Sequence, residues 1–485
     1  MFDLIFRGGT VIDGTGAPRR DADVGVVGQH IEAVGDLSGE AARHSVDASG
    51  LVVAPGFIDA HAHDDRMLLS SPDMTPKLSQ GVTTVVAGNC GISLAPMPRA
   101  VPQPVTPPLD LLDRSGQWYR FGAFDQYLQA LREQPPATNF ASLVGHTTLR
   151  VATMDDLSVA ATADEIARMR ALARQALQAG AIGISTGLAY TTANAAPTDE
   201  VVRVCEDLRA YGGLYCTHMR DESDGIMDAL AETFEIGRRL EVPVVISHHK
   251  VTGARNFGRT RETLPYIEQA MRSQSICLDC YPYDAGSTVL EVWRVGRCDR
   301  VIVTWSTPHP EFAGRELNDI AATLGVDREE AARRLMPGGA IYFSMDEQDV
   351  ERVLAFAPTM VGSDGLPHDN QPHPRLWGAF PRVLGHYARG RGLFSLEAAV
   401  HKMTGLTASQ FGFAGRGVIE PGAFADITVF DALTVNAGFG YGEAMQPAHG
   451  IVHVAVNGAL AWTQGASTGV RGGQQVRRAS VCAQG

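Results

Sequence analysis

The stretch LVVAPGFIDAHAH, residues 51–63, decides the fold. An apolar run of strand composition ends in His61-Ala62-His63, and the i, i+2 spacing sends both imidazoles to one face of an extended strand. The same texture recurs down the chain. TTVVAGNC (83–90), NFASLVGH (139–146), AIGISTG (181–187) and GLYCTHM (213–219) are followed by PVVISHH (243–249), ICLDCYPY (276–283) and APTMVGSDG (357–365). Segments of helical period that close on Gly, such as ADEIARMRALARQALQAG, separate these runs. Eight β/α units in this length predict an α/β fold, a (β/α)8 TIM-like barrel.

Polar residues gather where such a barrel keeps its chemistry, at the C-terminal tips of the strands. His61 and His63 end strand one, Cys90 strand two, His218 strand five, His248 strand six and Asp364 strand eight. Each alone reads as an ordinary residue: a buried thiol, a packing imidazole, an Asp-Gly turn. Their shared placement points to a metal site, and imidazole with thiolate suits zinc with a coordination position left for water. His248 and His249 are strand neighbours that face opposite ways, so one of them looks inward.

Outward from the barrel, residues 2–53 and the stretch GVIEPGAFADITVFD with HGIVHVAVNGALAWTQG read as short strands broken by Gly and Asp-Gly. Neither chain end has enough strands for a sheet of its own. They are expected to combine into a small β-sandwich, residues 1–54 and 415–485, flanking a barrel at 55–414. A Pro-rich loop, APMPRAVPQPVTPPLD, follows strand two, and an insertion at about 284–356 separates strands seven and eight and is expected to cover the active site.

The 485 residues carry 54 acidic and 41 basic side chains, net −13, with no basic stripe, which argues against a nucleic-acid partner. Lys77, Lys250 and Lys402 are the only lysines, so each is informative. Seven scattered cysteines read as reduced thiols, and no run reaches membrane-spanning length. With no basic, apolar leader at the N-terminus, a cytoplasmic chain without a membrane partner is expected.

VVAPGFIDAHAHDD with GVTTVVAGNCGIS resembles the amidohydrolase superfamily, and THMRDE, VVISHHK, YPYDAGST and VGSDGLPHD narrow the resemblance to the N-acyl-D-amino-acid deacylases, the D-aminoacylases. It spans nearly the whole chain and implies zinc-dependent hydrolysis of N-acyl-D-amino acids. Cys90, His218 and His248 match the ligands of the family's tightly held Zn2+. His61 and His63 match a second, weakly occupied divalent metal position, and Asp364 matches the catalytic aspartate. Many amidohydrolases bridge two metals with a carboxylated lysine on strand four; AIGISTG has none, and Cys90 matches the residue that bridges in this branch. Lys250, Tyr281 and Arg375 match the family's carboxylate-binding set, and His368 is expected to line the pocket. Ala189, Tyr190, Arg294, Tyr342 and Met345 are the expected side-chain pocket. The family spans apolar and acidic D-residues; Tyr342 and Met345 favour apolar ones, while Arg294 keeps D-Glu and D-Asp open. A hydantoinase-type cyclic amidase is the rival enzyme, and a decayed, non-catalytic scaffold the rival outside enzymes.

Overall fold

The computed structural model describes residues 1–479; the expected thiol Cys482 lies outside the described residues. Eight parallel strands form the expected ring: β1 (Phe57–Asp59), β2 (Val82–Ala87), β3 (Asn139–Ser142, continued by Val144–Gly145) and β4 (Gly183–Gly187), then β5 (Leu214–His218), β6 (Val244–Ile246), β7 (Ile276–Cys280) and β8 (Thr359–Val361). The circle closes where the Ala60 amide donates to the Val361 carbonyl (3.2 Å) and the Asp364 amide to the His61 carbonyl (2.7 Å). Strand alternation fills the barrel: Leu214 and Cys216 share the inward face of β5 with His218, while Cys277 does the same below Asp279 on β7. Phe411, Phe413 and Val476 join that interior cluster and plug the end of the barrel opposite the strand tips.

Local sequence explains the surrounding helices. In Ala163–Ala179, Thr162 and Glu165 form a reciprocal capping box, and Gly180 ends the helix in a left-handed turn (φ 116°).

The chain ends meet as expected. Ile427–Phe430 runs antiparallel to Val52–Pro55, pairing Ile427 with Pro55 and Phe430 with Val52, which joins the terminal segments in one nine-stranded sheet. Its longest strand, Phe2–Val11, pairs first with Ala42–Asp47 and then with Val52 and Val53, so the sheet forks around a core that includes Phe6, Val24, Val26, Ile427 and Val429. The last described residues leave this sheet. The Gly473 amide donates to the Pro136 carbonyl, and the Val476 amide to the Phe140 carbonyl at the base of β3.

The excursion after β7 builds its own antiparallel sheet from Gly286–Val289, Gly338–Tyr342 and Val301–Ser306. The helix Glu347–Ala355, expected within this insertion, packs on β7 and β8 instead. Its buried Val350, Val353 and Leu354 give it the apolar stripe of a barrel helix, so the excursion proper ends before it.

A buried polar knot fastens sheet to barrel. Asp426 accepts from Asn139 Nδ2 (3.1 Å to each oxygen) and from the Asn457 amide (2.8 Å), and is ion-paired with buried Arg416. Asp426→Ala leaves that guanidinium without its counter-charge; the expected loss is about 3–5 kcal/mol of unfolding free energy, read by denaturant titration.

Candidate metal centre and substrate cavity

All six metal-competent groups meet at one mouth of the barrel. Cys90 Sγ lies 3.3 Å from His61 Nε2 and 3.2 Å from His248 Nε2, and His248 Nε2 lies 3.0 Å from His218 Nδ1. His63 Nε2 is 3.1 Å from Asp364 Oδ1, and His61 Nε2 is 3.5 Å from the same oxygen. Two donor groups result, Cys90–His218–His248 and His61–His63–Cys90–Asp364, and the sulfur belongs to both.

Three of these residues stand beyond their strands in left-handed backbone. Cys90 (φ 53°), His248 (φ 37°) and Asp364 (φ 49°) follow β2, β6 and β8 by two or three residues. Strand alternation therefore does not choose between His248 and His249. The turn does, aided by Asp279, whose Oδ1 accepts from the His248 amide (2.9 Å) and whose carbonyl accepts from the His249 amide (2.7 Å). His249 points away and meets Thr263 Oγ1 at 2.9 Å. Such backbone costs on the order of 1–3 kcal/mol per residue and persists only where its surroundings enforce it.

On strand four, which has no lysine, Ser185 Oγ accepts from the Gly91 amide (3.0 Å) and donates to the Gly88 carbonyl, so it braces the Cys90 loop. That loop also needs Gly187 to be bare: a Cβ there would stand 2.2 Å from the Cys90 carbonyl oxygen.

Electrostatics favour a cation among these groups. Burial raises the Cys90 pKa, but His61 and His248 overcome it and hold the thiol well below its ordinary value. Burial lowers His61, yet the Cys90, Asp279 and Asp364 charges hold it well above the imidazole value. Burial pushes His218 down to about 3, so it stays neutral with a lone pair to give. Burial opposes ionisation of Asp364, but Arg375 and the neighbouring histidines keep it well below the carboxylate range. Buried imidazole nitrogens and a thiolate crowded within hydrogen-bond distance fit a thiophilic, imidazole-binding metal such as zinc.

Beside them opens a cavity lined by Tyr190, Lys250, Tyr281, Thr288, Arg294, Tyr342 and Arg375. Arg375 is fully buried; its Nη1 lies 2.7 Å from Asp364 Oδ2, its Nη2 donates to the Ser287 carbonyl (2.9 Å), and its guanidinium stacks 4.5 Å from the Tyr281 ring centre. The Nη1–Asp364 contact is off the hydrogen-bond direction, so the Nε and Nη1 protons remain without acceptors. A contiguous cavity of about 550 Å3 shares His218, Glu222, Arg294 and Tyr342 with this one and adds Ala189.

Two expected wall residues are elsewhere. Met345 packs behind Tyr281 and Tyr283, taking the Tyr281 hydroxyl at 3.8 Å. His368 faces Arg66, Asp113 and Arg114, because the loop after Asp364 presents Leu366 to the cavity.

Further buried charged side chains beside the donors carried no metal-ligand pattern in the sequence. Fully buried Lys77 donates to Asp59 Oδ2 (2.7 Å) and Ser363 Oγ (2.8 Å), while Asp59 Oδ1 accepts from the His61 and Ser363 amides. The scarcity of lysine was the available signal for Lys77. Asp279 Oδ2 stands 3.4 Å from His61 Nδ1, and Glu222 faces His218, His248 and Lys250.

The family model described as the amidohydrolase family matches residues 45–276 and 310–461. A D-aminoacylase from Alcaligenes xylosoxydans xylosoxydans is 59% identical over 480 residues, covering 99% of this chain and 98% of that protein. The chain belongs to the amidohydrolase family, in its D-aminoacylase branch. An N-acyl-D-aspartate deacylase from the same organism is 50% identical over 98% of this chain and 94% of its own. The solved N-acyl-D-glutamate deacylase of Bordetella bronchiseptica, complexed with zinc and a phosphonate that mimics the tetrahedral intermediate, superposes with a TM-score of 0.94 at 47% identity, covering 98% of this chain and 99% of its own.

Gly187→Ala forces its methyl group against the Cys90 backbone. Zinc affinity, measured by chelator competition, is expected to fall roughly tenfold or more while the far-ultraviolet circular dichroism is unchanged.

Proposed function

We propose that this branch member hydrolyses the amide bond of N-acyl-D-amino acids with zinc, giving a carboxylate and a free D-amino acid. The observation that carries this reading is the shared cavity, in which a Cys90-centred donor set and Asp364 face Lys250, Tyr281 and Arg375. Cys90, His218 and His248 hold the tight zinc, and His61 and His63 with Cys90 offer the second, weaker position. Bound zinc lowers the pKa of its water and polarises the amide carbonyl. Asp364 accepts the proton of the attacking water at a carboxylate oxygen and returns it to the departing nitrogen. Lys250, the Tyr281 hydroxyl and the unpartnered donors of Arg375 hold the substrate carboxylate, which fixes the amide against Asp364. D-selectivity follows the names of the relatives.

The substrate is a small molecule, and neither nucleic acid nor a membrane has a place in the reaction. No helix among the described residues is long and apolar enough to cross a membrane. Six buried free cysteines among the described residues support a cytoplasmic, reducing location.

On zinc-loaded protein, N-acetyl-D-amino acids are expected to be hydrolysed and their L-forms and a hydantoin not. Failure on every D-substrate, or preference for the hydantoin, overturns the assignment. Asp364→Asn is expected to keep zinc and lose about 10²–10⁴ in kcat.

Side-chain preference turns on Arg294, whose Nε meets Glu291 Oε2 at 2.7 Å. That counter-charge favours apolar over acidic D-residues, although the buried Arg294 Nη2 has no hydrogen-bond partner and stays available to an acidic side chain. Glu291→Gln is expected to raise kcat/KM for N-acetyl-D-glutamate relative to N-acetyl-D-leucine by about tenfold, read from paired kinetics.

A further inference from the structure

Glu222 lies four residues beyond His218, in the loop after β5, and its side chain is only 7% exposed. Its Oε1 accepts from Lys250 Nζ at 2.7 Å and stands 3.0 Å from His248 Nδ1, while its Oε2 faces His218 Nε2 at 3.6 Å. One carboxylate therefore touches two of the three proposed zinc ligands and one of the proposed substrate-carboxylate donors.

The contact with His248 is contested. Lys250 Nζ also lies 2.8 Å from His248 Nδ1, so that nitrogen can either receive a proton from Lys250 or donate one to Glu222. The alternatives have opposite consequences at the far side of the ring. If Nδ1 accepts from Lys250, the ring proton sits on Nε2, the atom aimed at Cys90 Sγ, and the lone pair needed for a metal is lost. If Nδ1–H donates to Glu222, Nε2 is a free lone pair. Glu222 Oε1 already accepts from Lys250 Nζ, so it meets the His248 ring as an acceptor and not as a competing donor. The same carboxylate anchors the Lys250 ammonium, and the Thr252 amide donates to the Glu222 carbonyl (2.8 Å), which ties this loop to the one carrying Lys250.

We propose that Glu222 is a positioning residue shared by the metal and the substrate: it sets the His248 tautomer, orients His218, and places Lys250 for the substrate carboxylate. This rests on the ligand and carboxylate roles proposed above. Its consequence is that zinc affinity and KM depend on one side chain that is neither a zinc ligand nor a donor to the substrate carboxylate.

Glu222→Gln keeps the shape and removes the charge. Zinc affinity by chelator competition is expected to fall about 10–100-fold, with KM for an N-acetyl-D-amino acid raised on the zinc-saturated enzyme. Glu222→Asp, which retains the charge on a shorter stem, is expected to recover part of both and decides the matter if the Gln variant does not fold. Lys250→Met is expected to raise KM and leave zinc affinity as in the parent, which separates the two arms. Zinc affinity and KM both unchanged in Glu222→Gln, with zinc lost from His248→Ala, overturns the role of Glu222 and leaves the ligand set standing. Zinc retained at parent affinity by His248→Ala overturns both.

Discussion

Everything at the mouth of this barrel depends on where one sulfur sits. Cys90 Sγ is held between His61 and His248, each at little more than 3 Å, and it is the atom common to both donor groups. A thiolate in that place has lost its water, so it is stable only while surrounded by positive or metal-bound partners. The surrounding structure is arranged to make this placement compulsory. Ser185 ties the loop on both sides of the cysteine, and the bare Cα of Gly187 lets the Cys90 carbonyl approach β4.

The same requirement explains the backbone. Three site residues from three different strands leave the ladder in left-handed conformation. Extended strands tilt around a ring and point their side chains alternately in and out, which cannot by itself bring thiol, imidazole and carboxylate to one point. A single left-handed residue after each strand re-aims the side chain by a large angle over a short length of chain. The rest of the fold, including the ring closure at Ala60–Val361, absorbs that strain.

Around the donors runs a second set of charges that orient them. Asp59 with Lys77 fixes the backbone of His61 and Ser363; Asp279 faces the His61 ring and holds the His248 amide; Glu222 faces His218, His248 and Lys250. All of these side chains are buried, and each carboxylate serves at least two elements distant in sequence. A substitution in this set acts on the donors through the side chains it orients.

The sequence by itself determined the alternation of strands and helices, the candidate donors at the strand tips, and the joining of the chain ends in one small β domain. Those are local properties: periodicity, residue chemistry and the shortage of strands at each terminus. The position of Met345 behind Tyr281, the exchange of Leu366 for His368 at the cavity, the Glu291–Arg294 pair and the convergence on Glu222 were decided by the tertiary structure. Met345, Leu366 and Glu222 stand in loops beyond the strand ends, where backbone direction is set by partners tens to hundreds of residues away; the Glu291–Arg294 pair is an i, i+3 contact that the excursion after β7 carries to the cavity.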